Sequence, residues 1–298
     1  MPANIKDLRR RIRATQSIGK ITKAMEMIAA SKMRKAQMAA VASKPYAATA
    51  QGMLQALGTA IAKEQLLHPL LKVGATGTSL IVLITPNRGL CGALSTQVIQ
   101  RALQQSERGQ TPHAGSDPAN PEAQFLAIGK KGERTLLRRG KKLAASFTGF
   151  ETTPTAVEVR PIARTIVDLF LSDEINEVRL VYAEFISTVK YEPKILPLLP
   201  IIQSFNHPIT QSSEYLFEPN PAEVLDALLP RLIELEIYQA ILEGLASEHS
   251  ARMVAMRNAS DAAKDLLDDF TLTYNSLRQQ AITTELADIV GGLKALAH

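Results

Sequence analysis

Tryptophan is absent from this sequence, cysteine occurs once, and tyrosine and phenylalanine number six and eight. With Cys91 alone an intramolecular disulfide is excluded, and a reducing compartment suits the chain. So few aromatics leave little with which to stack nucleic-acid bases. No run of about 18 apolar residues occurs, so no membrane-spanning helix is expected. The opening Met-Pro-Ala-Asn-Ile-Lys-Asp lacks the apolar core of a secretory signal, although residues 1–40 share the arginine-rich, acid-poor character of a mitochondrial transit peptide.

The motifs of catalysis are missing too. The turn Asn87-Arg88-Gly89-Leu90-Cys91-Gly92 follows an apolar strand, as a phosphate-binding loop would. It is neither G-x-G-x-x-G nor G-x-x-x-x-G-K-[ST]. Cys91 stands at a strand-to-helix turn where a thiolate gains stability, but no histidine is near it in sequence, so a small buried thiol is expected. The histidines at 68, 113, 207, 249 and 298 show no metal-ligand spacing. The basic run Lys130, Lys131, Arg134, Arg138, Arg139, Lys141 and Lys142 contains no aromatic residue and reads as a solvated helix face. No catalytic residue, cofactor or metal site is assigned, and the chain is not expected to be an enzyme on its own.

What is present is a long repeat. From Leu225 the positions 228, 232, 235, 239, 242, 246, 249, 253, 256, 260, 263, 267, 270, 274, 277 and 281 follow at steps of three and four. All but Gln239, His249 and Ser260 are apolar. A 3.5-residue repeat held over eight heptads belongs to a helix that supercoils around a partner. Asn220 and Pro221 supply an N-cap and first-turn proline, and Gly291-Gly292 supply a stop. Some 70 residues at 1.5 Å each make a rod roughly 105 Å long.

Residues 4–57 form a second helical pattern, in which Ile18, Ile21, Met25 and Ile28 are one stripe and Ile5, Leu8 and Ile12 an earlier one on another face. Ala29 to Ala42 is rich in alanine and serine, which permits close approach of another helix. Pro45 is expected to kink or break the pattern. Residues 1–44 carry 11 lysines and arginines against Asp7 and Glu26, whereas residues 218–298 carry 6 against 13 acids. This complementarity suggests that the terminal helices pair antiparallel.

Between them the pattern is α/β. Ser79–Thr85, Gln124–Ile128, Leu143–Thr148 and Val178–Ile186 read as strands, with helices to about Gln105, over Lys130–Arg139, and from Pro161 to Leu171. Ile195–Ile202 is interrupted by two prolines and is an edge strand at best. Residues 109–123 form a polar Gly/Pro-rich loop expected to lack order. The fold class expected is α/β plus a long coiled coil: N-terminal (1–60) and C-terminal (220–298) helices pair antiparallel, with a Rossmann-like α/β domain (75–215) inserted.

Three segments carry a family resemblance: Ile21–Gln37 (ITKAMEMIAASKMRKAQ), Ser247–Asp261 (SEHSARMVAMRNASD) and Ile282–Gly292 (ITTELADIVGG), joined by the turn Arg88–Gly92 (RGLCG). They resemble the signature blocks of the gamma subunit of F-type ATP synthases, the central rotor shaft. One departure is Leu293, where that family usually has alanine. The resemblance implies a non-catalytic rotor that couples ion-driven rotation of a c-subunit ring to conformational cycling of an alpha/beta hexamer. ATP chemistry then belongs to the beta subunits. Implied partners are the alpha and beta subunits, the epsilon subunit and the c ring. Nucleic acid is not among them, and membrane association is indirect, as a peripheral protein on the cytoplasmic face of a bacterial membrane. Subunit contacts implied are Lys23, Met25, Lys32, Arg34, Arg252, Arg257, Ile282, Glu285, Ile289 and Val290. Redox control of the chloroplast type needs a cysteine pair that Cys91 alone does not supply.

Two other classes fit parts of the pattern. A nucleic-acid-binding protein with a coiled-coil arm would use the basic N-terminus, but the acidic second helix opposes it. A small α/β enzyme with a coiled-coil dimerisation arm would need a catalytic constellation that the sequence does not provide.

Overall fold

The computed structural model describes residues 5–64, 68–71, 78–108, 123–172, 175–201 and 220–296. Two compact units emerge, one formed by residues 1–29 with 253–298 and the other by residues 30–252. Two long helices contribute to both: α1, Ile5–Glu64, and α5, Pro221–Leu296.

The first unit is an antiparallel helix pair. On α5 the seam positions Met256 and Ala263 are buried and Ser260, Leu267, Phe270, Tyr274 and Leu277 half-buried, as the heptad requires. The matching face of α1 is Leu8, Ile12, Thr15, Gly19, Thr22, Glu26 and Ala29, again at steps of four and three. The direction is fixed by two contacts. Arg9 Nη2 donates to Tyr274 Oη at 2.7 Å, and Ser260 Oγ donates to the Gly19 carbonyl at 3.4 Å. The stripe Ile18, Ile21, Met25, Ile28 is not this seam. Ile18, Ile21 and Ile28 are 53%, 59% and 58% exposed, and Met25 is half-buried. Gly19, Thr22 and Ala29 take the α1 side of the seam here because they let the two backbones approach, and Ile18, Ile21 and Ile28 are left facing outward.

In the second unit a five-stranded sheet has the order β3-β2-β1-β4-β5, from β1 (Thr78–Ile84), β2 (Gln124–Ile128), β3 (Leu143–Phe147), β4 (Ile175–Phe185) and β5 (Tyr191–Leu199). The first four are parallel and β5 is an antiparallel edge. Pro193 and Pro197 fall on this edge, where a missing N–H is tolerated. Helices α2 (Leu94–Arg108) and α3 (Lys130–Arg138) cover one face through Leu94, Val98, Ala102 and Leu136. Helix α4 (Ala156–Leu171) covers the other face with the first half of α5, through Val159, Ile162, Ile233, Ile237 and Ile241. The extra isoleucines and leucines between heptad positions 225 and 246 are this sheet-facing surface.

Several boundaries differ from expectation. Helix α1 runs through Pro45, whose exposed position among alanines loses one backbone hydrogen bond without ending the helix. Helix α4 starts five residues before Pro161, at a capping box in which the Thr155 N–H donates to Glu158 Oε2 at 2.6 Å. Asn220 caps α5 as expected, accepting from the Glu223 N–H at 2.9 Å. Gly291-Gly292 do not stop α5, which continues to Leu296. Two glycines cost about 1 kcal/mol each relative to alanine, which strong helix formers on both sides offset. Of the expected 109–123 loop, residues 109–122 lie outside the described residues.

Candidate functional site: the Gly89 turn and the coiled-coil faces

In an open α/β sheet the place to look for a ligand is the crevice beyond the strand ends where the winding reverses, here at the ends of β1 and β4. The chain fills it with its own helix. Gly244 of α5 packs so that an added Cβ would lie 3.5 Å from Ile84 Cγ2, and Ser247 Oγ donates to the Ala183 carbonyl at 3.0 Å. What remains between Ile84, Thr85, Leu94, Gly244, Leu245 and Glu248 is a cavity of about 20 Å³, room for about one water.

The turn after β1 is locked from several sides. Gly129 has φ 107°, and a Cβ there would fall 1.9 Å from the Thr85 carbonyl oxygen, so only glycine lets the β2 and β1 ends meet. Asn87 Nδ2 donates to the Gly149 carbonyl at 2.6 Å, while its Oδ1 accepts from the Gly149 and Lys130 N–H groups at 3.1 and 3.2 Å. Leu90 sits in the left-handed region at φ 64° and is 60% exposed, and Cys91 beside it is 2% exposed. The cysteine Sγ lies 3.5 Å from Ser95 Oγ, in keeping with a packed thiol.

Arg252 holds this turn from α5. Its guanidinium pairs with Glu248 Oε1 at 2.7 Å and donates to the Gly89 carbonyl at 3.2 Å and the Arg88 carbonyl at 3.5 Å. Its Nη1 meets His249 Nδ1 at 3.2 Å. The Arg252 and Glu248 side chains are each only 12% exposed. Burial raises the Glu248 pKa, against the opposing pull of Arg252. Burial, with Arg252 and Lys32 nearby, lowers the His249 pKa to about 4, so the imidazole is neutral at pH 7 and Nδ1 accepts from Arg252. Lys32 Nζ donates to the Glu151 carbonyl at 3.1 Å, and the Glu151 carboxylate pairs with Arg88 at 3.1 Å. Lys32, Arg88, Glu151, Glu248, His249 and Arg252 thus form one network. Of these, only Lys32 and Arg252 were expected as contacts from the sequence; Glu248 and His249 lie one helical turn before Arg252, whereas Arg88 and Glu151 are brought in from distant parts of the chain.

The other singled-out residues lie elsewhere. Lys23 is exposed and pairs with Glu26 at 2.9 Å. Arg34 is exposed and borders an open groove of about 760 Å³ with Met38, Val41, Phe185 and Gln239. Arg257 and Glu285 are exposed on α5. Ile282, Leu286, Ile289 and Val290 form an apolar strip that is 46%, 57%, 55% and 52% exposed. Among the described residues no cluster of histidine, cysteine, aspartate and glutamate could hold a metal, and no helix is long and apolar enough to cross a membrane.

The chain thus combines an antiparallel helix pair and a doubly wound α/β unit. A family model described as ATP synthase matches residues 4–296. The ATP synthase gamma chain of Herpetosiphon aurantiacus is 42% identical over 304 residues, covering 99% of both chains. That of Dehalococcoides mccartyi is 41% identical over 295 residues, covering 99% of this chain and 100% of its own. The chain belongs to the family of ATP synthase gamma chains, the central-stalk subunits of F-type ATP synthases. Solved structures share its fold. A chain of the Euglena gracilis mitochondrial ATP synthase, in a structure of OSCP, F1 and c-ring, superposes with TM-score 0.65 at 17% identity, covering 98% of this chain and 94% of that one. One from the Tetrahymena thermophila mitochondrial central stalk and c-ring gives 0.62 at 23% identity, covering 80% and 99%.

Proposed function

We propose that the chain is the non-catalytic rotor of a proton-translocating F-type ATP synthase. Ion flow through a c-subunit ring turns it, and its asymmetric faces drive conformational cycling of catalytic sites on an alpha/beta hexamer. The observation that carries this reading is the placement of apolar surface. Gly19, Thr22 and Ala29 take the α1 side of the seam, while Ile18, Ile21, Ile28 and the strip Ile282, Leu286, Ile289, Val290 face outward. A helix pair with so much unpaired apolar surface fits inside a sleeve, and smooth apolar contact lets a shaft turn where specific hydrogen bonds would hold it.

Lys23, Met25, Arg34 and Arg257 supply contacts around that sleeve, with Glu285 at the tip. Exposed pairs worth about 0.2–1 kcal/mol each can be made and released as the shaft turns. Lys32 and Arg252 act through the Gly89 turn, which they hold in shape. The epsilon subunit and c ring are the partners of the inserted α/β domain. Membrane attachment is therefore indirect, on the cytoplasmic face of a bacterial membrane. The domain limits 1–60, 75–215 and 220–298 describe this division of labour.

The experiment is reconstitution of the tip variants with alpha and beta subunits. Replacing Ile289 and Val290 with aspartate is expected to impair assembly, and deleting residues 291–298 to leave assembly and coupled hydrolysis largely intact. A harmless double aspartate with a lethal deletion would mean that the tip acts through specific polar contacts, and the sleeve reading would fall.

A further inference from the structure

The rotor reading leaves one strongly charged surface unused. Residues 130–142 contain seven lysines and arginines against the single acid Glu133. Helix α3 turns Gly132 and Leu136 into the core, and Lys130, Lys131, Arg134, Arg138 and Arg139 are exposed. Among the described residues, no carboxylate pairs with Lys130, Lys131, Arg134, Arg138, Arg139 or Lys142. A merely solvated helix face mixes charge signs at i, i+4, because like charges there repel. On α3 the i, i+4 series 130, 134, 138 is cationic throughout.

The surface is also rigid. The Gly132 N–H donates to Thr85 Oγ1 at 2.9 Å, the Lys131 N–H to the Pro86 carbonyl at 3.2 Å, and the Lys130 N–H to Asn87 Oδ1 at 3.2 Å. Lys131 Nζ is held 3.6 Å from the Cβ position of Gly89. Amid the cations stands Leu137, 57% exposed.

We infer that the outer face of α3 is a docking surface for an acidic polypeptide segment of a partner, with an apolar residue seated against Leu137. The charge of the face demands an anionic partner. The helix is only about 14 Å long and has no aromatic side chain, which disfavours nucleic acid. One leucine between arginines gives too little apolar area to enter a lipid surface. The inference stands apart from the rotor reading, since the isolated full-length chain tests it.

The probe is a fluorescein-labelled 15-residue polyglutamate carrying one central leucine, titrated with the chain and followed by anisotropy. Binding is expected to weaken with salt and to fall about tenfold when Lys131, Arg134 and Arg138 are changed to glutamate, as three lost exposed pairs would give. The same charge change at Arg10, Arg11 and Arg13 is expected to alter it less than about twofold, and Leu137→Ser to weaken it about threefold. Circular dichroism confirms that the variants fold. Equal loss from both triple variants would reduce the effect to net charge and overturn the inference. So would tighter binding of an oligonucleotide or of anionic phosphatidylglycerol vesicles than of the peptide.

Discussion

A Cβ added at Gly19 would lie 3.7 Å from the Cβ of Ala263, an ordinary van der Waals contact between the two helices of the first unit. The distance matches the Cβ separation of a disulfide, about 3.8 Å. Cysteines at 19 and 263, in a Cys91→Ala background, should therefore crosslink within one chain under mild oxidation. A pair at Ile21 and Ala263 should not, because Ile21 faces outward. Crosslinking of the second pair alone would put the seam on the wrong face of α1.

The same contact leaves room for a methyl group. Gly19→Ala should stabilise the chain by up to about 1 kcal/mol through helix propensity, read as a higher thermal midpoint. Gly19→Leu should overpack the seam and cost about 1–3 kcal/mol. A lower midpoint for the alanine variant would show a tighter seam than this geometry.

Arg252 makes a different case. The family resemblance implied only that Arg252 is a subunit contact. Its guanidinium, 12% exposed, predicts that Arg252→Ala loses stability. Truncation leaves Glu248 buried without its cation, at a cost of about 3–5 kcal/mol, and frees the Gly89 and Arg88 carbonyls. Adding Glu248→Gln should recover part of the loss. Chemical denaturation of the single and double variants checks this, and a single variant as stable as the parent would contradict it.

His249 gives a pH signature. Its pKa is lowered to about 4 in the fold, against about 6.5 unfolded, so the unfolded chain binds the extra proton first. Its contribution is complete above pH 6.5 and is lost as pH falls to 4, a difference of at most about 3 kcal/mol. Glu248, whose pKa is raised, works in the opposite sense: its contribution is lost as pH rises from its unfolded value. His249→Gln removes only the first effect. Unfolding free energy measured from pH 4 to 7 should therefore rise less with pH in the variant than in the parent, and an unchanged slope would show that the imidazole is not held neutral.

Large side chains made much of this fold readable in the sequence. The α5 heptad, the strands and the order of elements all rest on leucine, isoleucine and valine at regular spacing. The α1 seam was legible only at Leu8, Ile12 and the alanine-rich stretch from Ala29, for the converse reason. Gly19, Thr22 and Ala29 carry almost no hydrophobic signal, while Ile18, Ile21 and Ile28 carry a strong one and face outward. Their spacing at four and three from Leu8 was the available clue. Arg252 was singled out, but its role was hidden because the turn it holds lies 163 residues away at Gly89. Pro161 and Gly291-Gly292 misled as local punctuation, overridden by the Thr155 cap and by neighbouring helix formers.

On the proposed function, this chain turns inside a ring of alpha and beta subunits. The direct measurement is to mix it, full length and tagged, with purified alpha and beta subunits, and to isolate the tagged complex for composition and ATP hydrolysis. The account predicts one copy of the chain per alpha/beta ring and steady hydrolysis by the isolated complex, with none by the chain alone. Recovery of the chain free of both subunits, or hydrolysis by the chain alone, would contradict it.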